Sequence, residues 1–178
     1  MEPKPVSESC SVLAHWMGIT DANSAGNIHG GTIMKLADEA AGLAAIKYSR
    51  QRVVTVGMDR MDFLVPVYMG ELVTFRATVN AAWRTSMEVG VRVDAENPIL
   101  GETRHTNTAY LTMVALDEQG RPAPVRPPLA STPVEQRRLR EAEMRRANRL
   151  AERAEMLEHR LRERTPPTAE RGAPPVTD

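Results

Sequence analysis

From residue 30 to about 49, apolar residues recur at helical spacing: Ile33, Leu36, Ala37, Ala40, Leu43 and Ala44. Met34, Ala41, Ala45 and Ile46 fill much of the remaining surface, so this helix is expected to be enclosed by protein on most sides. Upstream, residues 9–17 read as a short strand and 18–29 as a loop. Downstream the period shortens to two. Residues 53–63 form a β-rich apolar run. In 72–83, Val73, Phe75, Ala77, Val79, Ala81 and Trp83 alternate with Arg76, Thr78 and Asn80, which predicts opposite faces of one strand. In 86–96, Met87, Val89, Val91 and Val93 are set against Glu88, Arg92 and Asp94, and 103–116 gives a fourth run. Turn residues separate the runs at 66–70, 84–85, 97–101 and 117–120. An almost wholly apolar helix followed by an antiparallel meander predicts an α+β fold, with the sheet curled around the helix.

The composition changes near Pro133, beyond which Arg, Glu, Ala and Leu dominate. Residues 122–133 form a proline-rich connector. Residues 134–164 read as a long helix with a narrow stripe of Leu139, Ala147, Leu150, Ala154, Leu157 and Leu161, supported by Glu141–Arg145 and Glu158–Arg162 at four-residue spacing. The expected organisation is a tail over 1–8, a folded domain over 9–128, a linker and charged helix over 129–164, and a disordered tail over 165–178.

At 178 residues the chain can bury one core plus an appendage. Its 23 basic and 23 acidic residues cancel, which gives no electrostatic reason to expect nucleic acid. One cysteine, Cys10, excludes an intrachain disulfide. The N-terminus lacks the apolar core of a signal peptide and no run approaches membrane-spanning length, so a cytoplasmic protein without a membrane partner is expected. His15, His29, His105 and His159 are scattered without metal-ligand spacing, and no glycine-rich nucleotide motif occurs. Neither a metal nor a cofactor is expected.

The candidate chemistry lies between Asn23 and Asp38. A glycine-dense loop with Asn23, Gly26, His29, Gly30 and Gly31 feeds into the apolar helix, where Asp38 is an isolated acid. Backbone N–H groups, a carboxamide and a carboxylate are the parts needed to stabilise an oxyanion and activate water or attack an acyl group. Each residue also has a plainer use: Asn23 favours turns, the glycines permit tight packing, and Asp38 could bond a neighbouring loop. His29 fits either a packing role or a catalytic base. Asp38 lies about 10 Å along the helix from Gly31, whereas a reacting carbonyl must lie ~3 Å from both. Two copies packed antiparallel satisfy that requirement more easily than one straight helix, which favours a site shared between subunits.

The ordered motifs Asp21-Ala-Asn23-x-x-Gly26-x-x-His29-Gly30-Gly31, Leu36-Ala-Asp38-Glu39, Val53-Val-Thr55-Val, Asp62-Phe63-Leu-x-Pro66-Val-x-x-Gly70, Thr85-Ser86-Met87-Glu88-Val89 and Leu111-Thr-Met-Val-Ala-Leu-Asp117 resemble the hotdog-fold acyl-CoA thioesterases, in the branch of cytosolic acyl-CoA hydrolases and bacterial short- and medium-chain enzymes. The similarity spans about residues 10–128. It implies a five- or six-stranded sheet around a long helix, edge-to-edge homodimers, and assembly to a hexamer as a trimer of dimers. It also implies hydrolysis of an acyl-CoA to a free acid and coenzyme A without a cofactor. Asp38 matches the catalytic carboxylate, as general base or nucleophile, and Asn23 the amide that positions water or the carbonyl. Gly30 and Gly31 match the oxyanion donors. Arg84, Thr85 and Ser86 match a turn that contacts the nucleotide of coenzyme A, with Arg60 and Arg76 as further candidates. The chain departs from the pattern at His29, where relatives carry Phe, at Ala22 in place of Thr, and at Trp83 in place of Gly. Such domains also serve as non-catalytic acyl-CoA-binding regulators or act on acyl groups carried by a carrier protein. Hydratase-type His/Asp signatures are absent.

Overall fold

The computed structural model describes residues 1–59, 61–63 and 65–164. Arg60 and the expected disordered tail at 165–178 lie outside the described residues. The chain divides into two compact units, Met1–Ala142 and Glu143–Asp178.

In the first unit a long helix, α1 (Gly30–Ser49), lies against a five-stranded antiparallel sheet. The strands are β2 (Ser11–Trp16), β3 (Arg52–Met58), β4 (Leu72–Ala82), β5 (Ser86–Asn97) and β6 (Glu102–Leu116), in the order β2-β4-β5-β6-β3. Their inward residues close the core with α1: Phe75, Val91, Val93, Leu111 and Met113 meet Ile33, Ala37, Ala40, Ala44 and Tyr48. The run of alanines on α1 lets the sheet approach closely. This is the sheet curled around one helix that the alternation predicts.

Two strand expectations are corrected. A register shift between Val79 and Ala81 makes Asn80 an extra residue in β4: Ala81 pairs with Glu88 and Ala82 takes its expected place in the core, while Asn80 stays on the face of Gly90 and is 3% exposed there. Glu88, assigned to the polar face, is fully buried, and Asn80 Nδ2 donates to its Oε1 at 3.3 Å. Gly90 makes the room: a Cβ there would stand 2.6 Å from Asn80 Nδ2. β3 ends at Met58 instead of continuing to Phe63, whose ring leaves the sheet to pack on Gly30.

The first eight residues, expected as a tail, are built into this unit. Strand β1 (Lys4–Pro5) pairs in parallel with β7 (Pro128–Leu129), and Val6 is buried. Lys4 Nζ donates to the carbonyls of Lys47 and Tyr48 at 3.0 and 2.9 Å, placing a cation on the C-terminal end of α1. Tyr48 closes the joint by donating to the Pro127 carbonyl at 3.1 Å, and burial with the nearby Glu8 charge pushes its hydroxyl up to about 12.

Within one chain α1 is not enclosed on most sides. The sheet covers one flank, and Met34, Leu43 and Ile46 remain 41%, 47% and 46% exposed. β3 occupies one end of the strand order and exposes Val54 and Val56. Helix α2 (Pro133–Arg164) begins with a capping box: Thr132 Oγ1 accepts from Glu135 N, while Glu135 Oε2 accepts from Thr132 N. Ala142 is buried at the end of the first unit. In the second unit Arg162 pairs with Glu158 at 2.7 Å, as the spacing predicts, and Glu141 in the first unit takes Arg137 at 2.8 Å.

Candidate active site

The loop before α1 is held by its own polar groups. Asp21 Oδ2 accepts from Gly18 N at 2.8 Å and lies 3.0 Å from His15 Nε2. The Gly18 N–H, opposed by burial and assisted by His15, holds the Asp21 carboxyl below its ordinary range. The Asp21 carbonyl accepts from His29 N at 2.8 Å, which sets where the helix begins. Between them Asn23 organises a tight turn: its Oδ1 accepts from Ala25 N and Asn27 N, and its carbonyl accepts from Gly26 N. Gly26 has φ +84°, a left-handed conformation that favours glycine. Two N–H donors at one end of the carboxamide identify that end as oxygen and leave the amino end as the donor available to another group. The plain turn role of Asn23 and a carbonyl-positioning role are therefore compatible.

His29 caps α1. Its Nδ1 accepts from Gly31 N at 2.8 Å. A Cβ on Gly31 would stand 2.9 Å from that ring atom, so glycine at 31 is what admits the imidazole cap. Of the two expected oxyanion donors, the Gly31 N–H serves the cap, and Gly30 is the glycine whose N–H the cap does not use. Replacing His29 with alanine is expected to cost about 1 kcal/mol of stability, whereas His29→Asn should retain both the cap and turnover. Loss of turnover by more than a hundredfold in the asparagine variant, measured beside thermal melting, would instead make the ring a chemical participant.

Two turns further along, Asp38 is half-buried at the margin of the core. Its Oδ1 accepts from Thr55 Oγ1 at 2.6 Å. Thr55 sits on β3 where the register shifts between Thr55 and Gly57, an irregularity that aims the hydroxyl at the helix. Sequence reasoning named Thr55 only within a motif and gave it no role; its contact spans 17 positions and leaves no local signal.

Arg84 and Thr85 form the turn between β4 and β5, and Ser86 opens β5. The turn is pinned by Ala115 N on the Thr85 carbonyl and Val125 N on the Arg84 carbonyl. Ser86, Val114 and Val54 share one row of the sheet, next to the row carrying Thr55. At two strand spacings the turn lies roughly 10 Å from Thr55. A single chain thus brings Asp38, Thr55 and the Arg84 turn to one end of the sheet. Asn23 and Gly30 lie at the start of α1 and are not brought to Asp38. Among the described residues no cluster with metal-ligating composition occurs, and no helix is long and apolar enough to cross a membrane.

The thioesterase superfamily domain matches residues 25–102. The chain is 34% identical over 143 residues to the cytosolic acyl coenzyme A thioester hydrolase of Rattus norvegicus, covering 79% of this chain. It spans 37% of the length of the rat and mouse hydrolases. Among solved structures, an apo-hexameric acyl-CoA thioesterase superposes with TM-score 0.83 at 36% identity, covering 86% of this chain and 99% of that one. The acyl-CoA hydrolase of Staphylococcus aureus, solved with butyryl coenzyme A, coenzyme A and coenzyme A disulfide, gives TM-score 0.81 at 31% identity, covering 91% and 99%. Alanine variants of the Staphylococcus enzyme at an Asn, an Asp and a Thr have also been solved. Those three positions are 15 and 17 residues apart, as Asn23, Asp38 and Thr55 are here. The chain belongs to the thioesterase superfamily, among the hotdog-fold acyl-CoA hydrolases.

Proposed function

We propose that the chain hydrolyses acyl-CoA thioesters to a carboxylic acid and coenzyme A. The observation that carries this reading is the half-buried Asp38 with one oxygen fixed by Thr55, at the spacing shared with the substituted positions of the Staphylococcus enzyme. Thr55 holds Oδ1, so Oδ2 remains to take a proton from water. The activated water attacks the thioester carbonyl. The negative charge that develops on the carbonyl oxygen is met by the Asn23 amino group and the Gly30 N–H, at the positive end of the helix dipole. Collapse of the tetrahedral intermediate expels the coenzyme A thiolate.

The donors and the base belong to different copies in this reading. Two chains join edge to edge through β3, each covering the other's Met34, Leu43, Ile46, Val54 and Val56. The loop of one copy then meets Asp38 of the other. Three such dimers make a hexamer, the state in which one relative has been solved. Arg84, Thr85 and Ser86 receive the nucleotide end of coenzyme A near the mouth of the shared site.

A free-thiol release assay over acyl-CoAs of increasing length, beside acyl-carrier-protein thioesters, tests the activity. Turnover of acyl-CoA is expected. Tight binding without turnover would make the chain an acyl-CoA-binding regulator, and turnover of carrier-protein thioesters alone would change the substrate class. Thr55→Val is expected to lower kcat by roughly tenfold to a hundredfold, the range for losing one hydrogen bond to a charged group, with KM little changed.

A further inference from the structure

The sheet face turned away from α1 carries a feature that the proposed mechanism at Asp38 does not use, and it includes Arg76, a further candidate for the nucleotide of coenzyme A. Arg76 on β4 and Arg92 on β5 stand directly opposite one another in the ladder, a repulsive arrangement unless a counter-charge lies between them. The buried Asp94 supplies one. Its Oδ2 takes Arg76 Nη1 at 2.7 Å and Arg92 Nε at 3.0 Å, while its Oδ1 lies 3.0 Å from Arg92 Nη2 and 3.3 Å from His105 Nδ1. One carboxylate fixes two half-exposed guanidinium groups in place and leaves their combined charge positive.

The first turns of α2 bring two more arginines to this face. Arg137, partnered by Glu141, and Arg138 line a cleft of about 400 Å³ together with Arg76 and Arg92. Four guanidinium groups are answered by three carboxylates: Asp94, Glu141 and Glu135, whose carboxyl the Arg138 charge helps to hold low. Thr78, Thr108 and Ser11 add hydroxyls to the lining, and Cys10, the chain's one cysteine, is exposed at the same wall. The volume is within the range of small-molecule sites. Guanidinium forks fixed in advance are the side chains best suited to phosphate oxygens.

We propose that this cleft between the outer face of the sheet and the start of α2 binds a phosphate-bearing small molecule, at a site separate from Asp38. Its phosphates lie among Arg76, Arg92, Arg137 and Arg138. The phosphates can belong to a free nucleoside diphosphate or to the nucleotide end of a second coenzyme A molecule. In both cases the recognised group is the pyrophosphate.

Cys10 gives a readout independent of thioester turnover. The full chain is alkylated with iodoacetamide, a neutral reagent, and modification of the single thiol is followed by mass spectrometry. Inorganic pyrophosphate, ADP and coenzyme A are added separately, each against sodium chloride at matched ionic strength. Pyrophosphate is expected to slow alkylation by about fivefold or more at saturation, with no effect of sodium chloride. In R137Q/R138Q, which keeps two good helix formers on an exposed helix face, half-protection should require about tenfold more pyrophosphate, the scale of losing one charge-assisted contact. Stronger protection by ADP than by coenzyme A assigns the site to a free nucleotide, and the reverse assigns it to coenzyme A. An alkylation rate unchanged by all three compounds, or protection equally strong in R137Q/R138Q, would overturn the proposal.

Discussion

Asp38→Ala is expected to lower acyl-CoA hydrolysis by about two orders of magnitude or more, the scale of removing a general base, while the protein stays folded. Asp38 sits at the margin of the core with the Thr55 hydroxyl bonded to its Oδ1, so truncation leaves that hydroxyl facing accessible space and opens little cavity. A thiol-release assay beside circular dichroism and thermal melting separates the two effects. Near-normal turnover would remove Asp38 from the mechanism. Lost turnover with lost folding would mean that the carboxylate is chiefly structural.

Arg104→Met should produce the largest loss of stability, about 3 kcal/mol, toward the lower end for breaking a buried ion pair because Arg104 is itself partly exposed. Glu71 is 7% exposed at its side chain and takes Arg104 through both oxygens, at 2.6 and 2.7 Å. Its Oε2 also accepts from Tyr68 N, and Arg104 reaches the Pro66 carbonyl. Burial alone would raise the Glu71 carboxyl, but the Arg104 and Tyr68 hydrogen bonds and the Arg104 charge outweigh it and hold the group below its ordinary range.

The sign for stability follows. A lowered folded-state value stabilises the fold above the unfolded carboxylate range, and that contribution is lost as pH falls through the folded value. The gap between wild type and Arg104→Met should therefore be widest near neutrality and narrow in acid. Urea unfolding at neutral and acid pH measures it; a gap of equal size at both would contradict the assignment. The clamp also bears on the site. It fixes the loop whose Val67 carbonyl accepts from Ile28 N and whose Tyr68 bridges to Asn27, so loosening it should disturb Asn23 as well.

What the sequence made legible follows from where the information is local. Helix α1 and strands β4 to β6 are written in their apolar periods and turn residues, and they fold at nearly the expected bounds. Ala81 was misplaced because one extra residue in β4 shifts the register, and a shift of one moves a side chain to the other face, whereas Asn80 and Glu88 keep their expected face and are buried on it. The N-terminal segment looked like a tail because its contacts, Lys4 on the end of α1 and β1 on β7, reach across most of the domain. At the site, Asp38 and Asn23 stood out by residue type and spacing. The partnership of Thr55 with Asp38 and the cap of His29 on Gly31 are tertiary and rotameric facts that no period announces.

The enclosure expected for α1 is informative because a single chain does not supply it. Met34, Leu43 and Ile46 stay open, and the carboxylate and the amide lie at different stations along the helix. The proposed pairing with a second copy would meet both observations. The most direct test of that sharing is to co-express Asn23→Ala and Asp38→Ala chains carrying different tags and to purify the mixed assembly. In each mixed dimer one site loses both groups and the other keeps both, so random pairing predicts recovery to about a quarter of wild-type turnover from two nearly inactive parents. A mixed assembly as inactive as its parents would contradict a catalytic centre built from two copies of this chain.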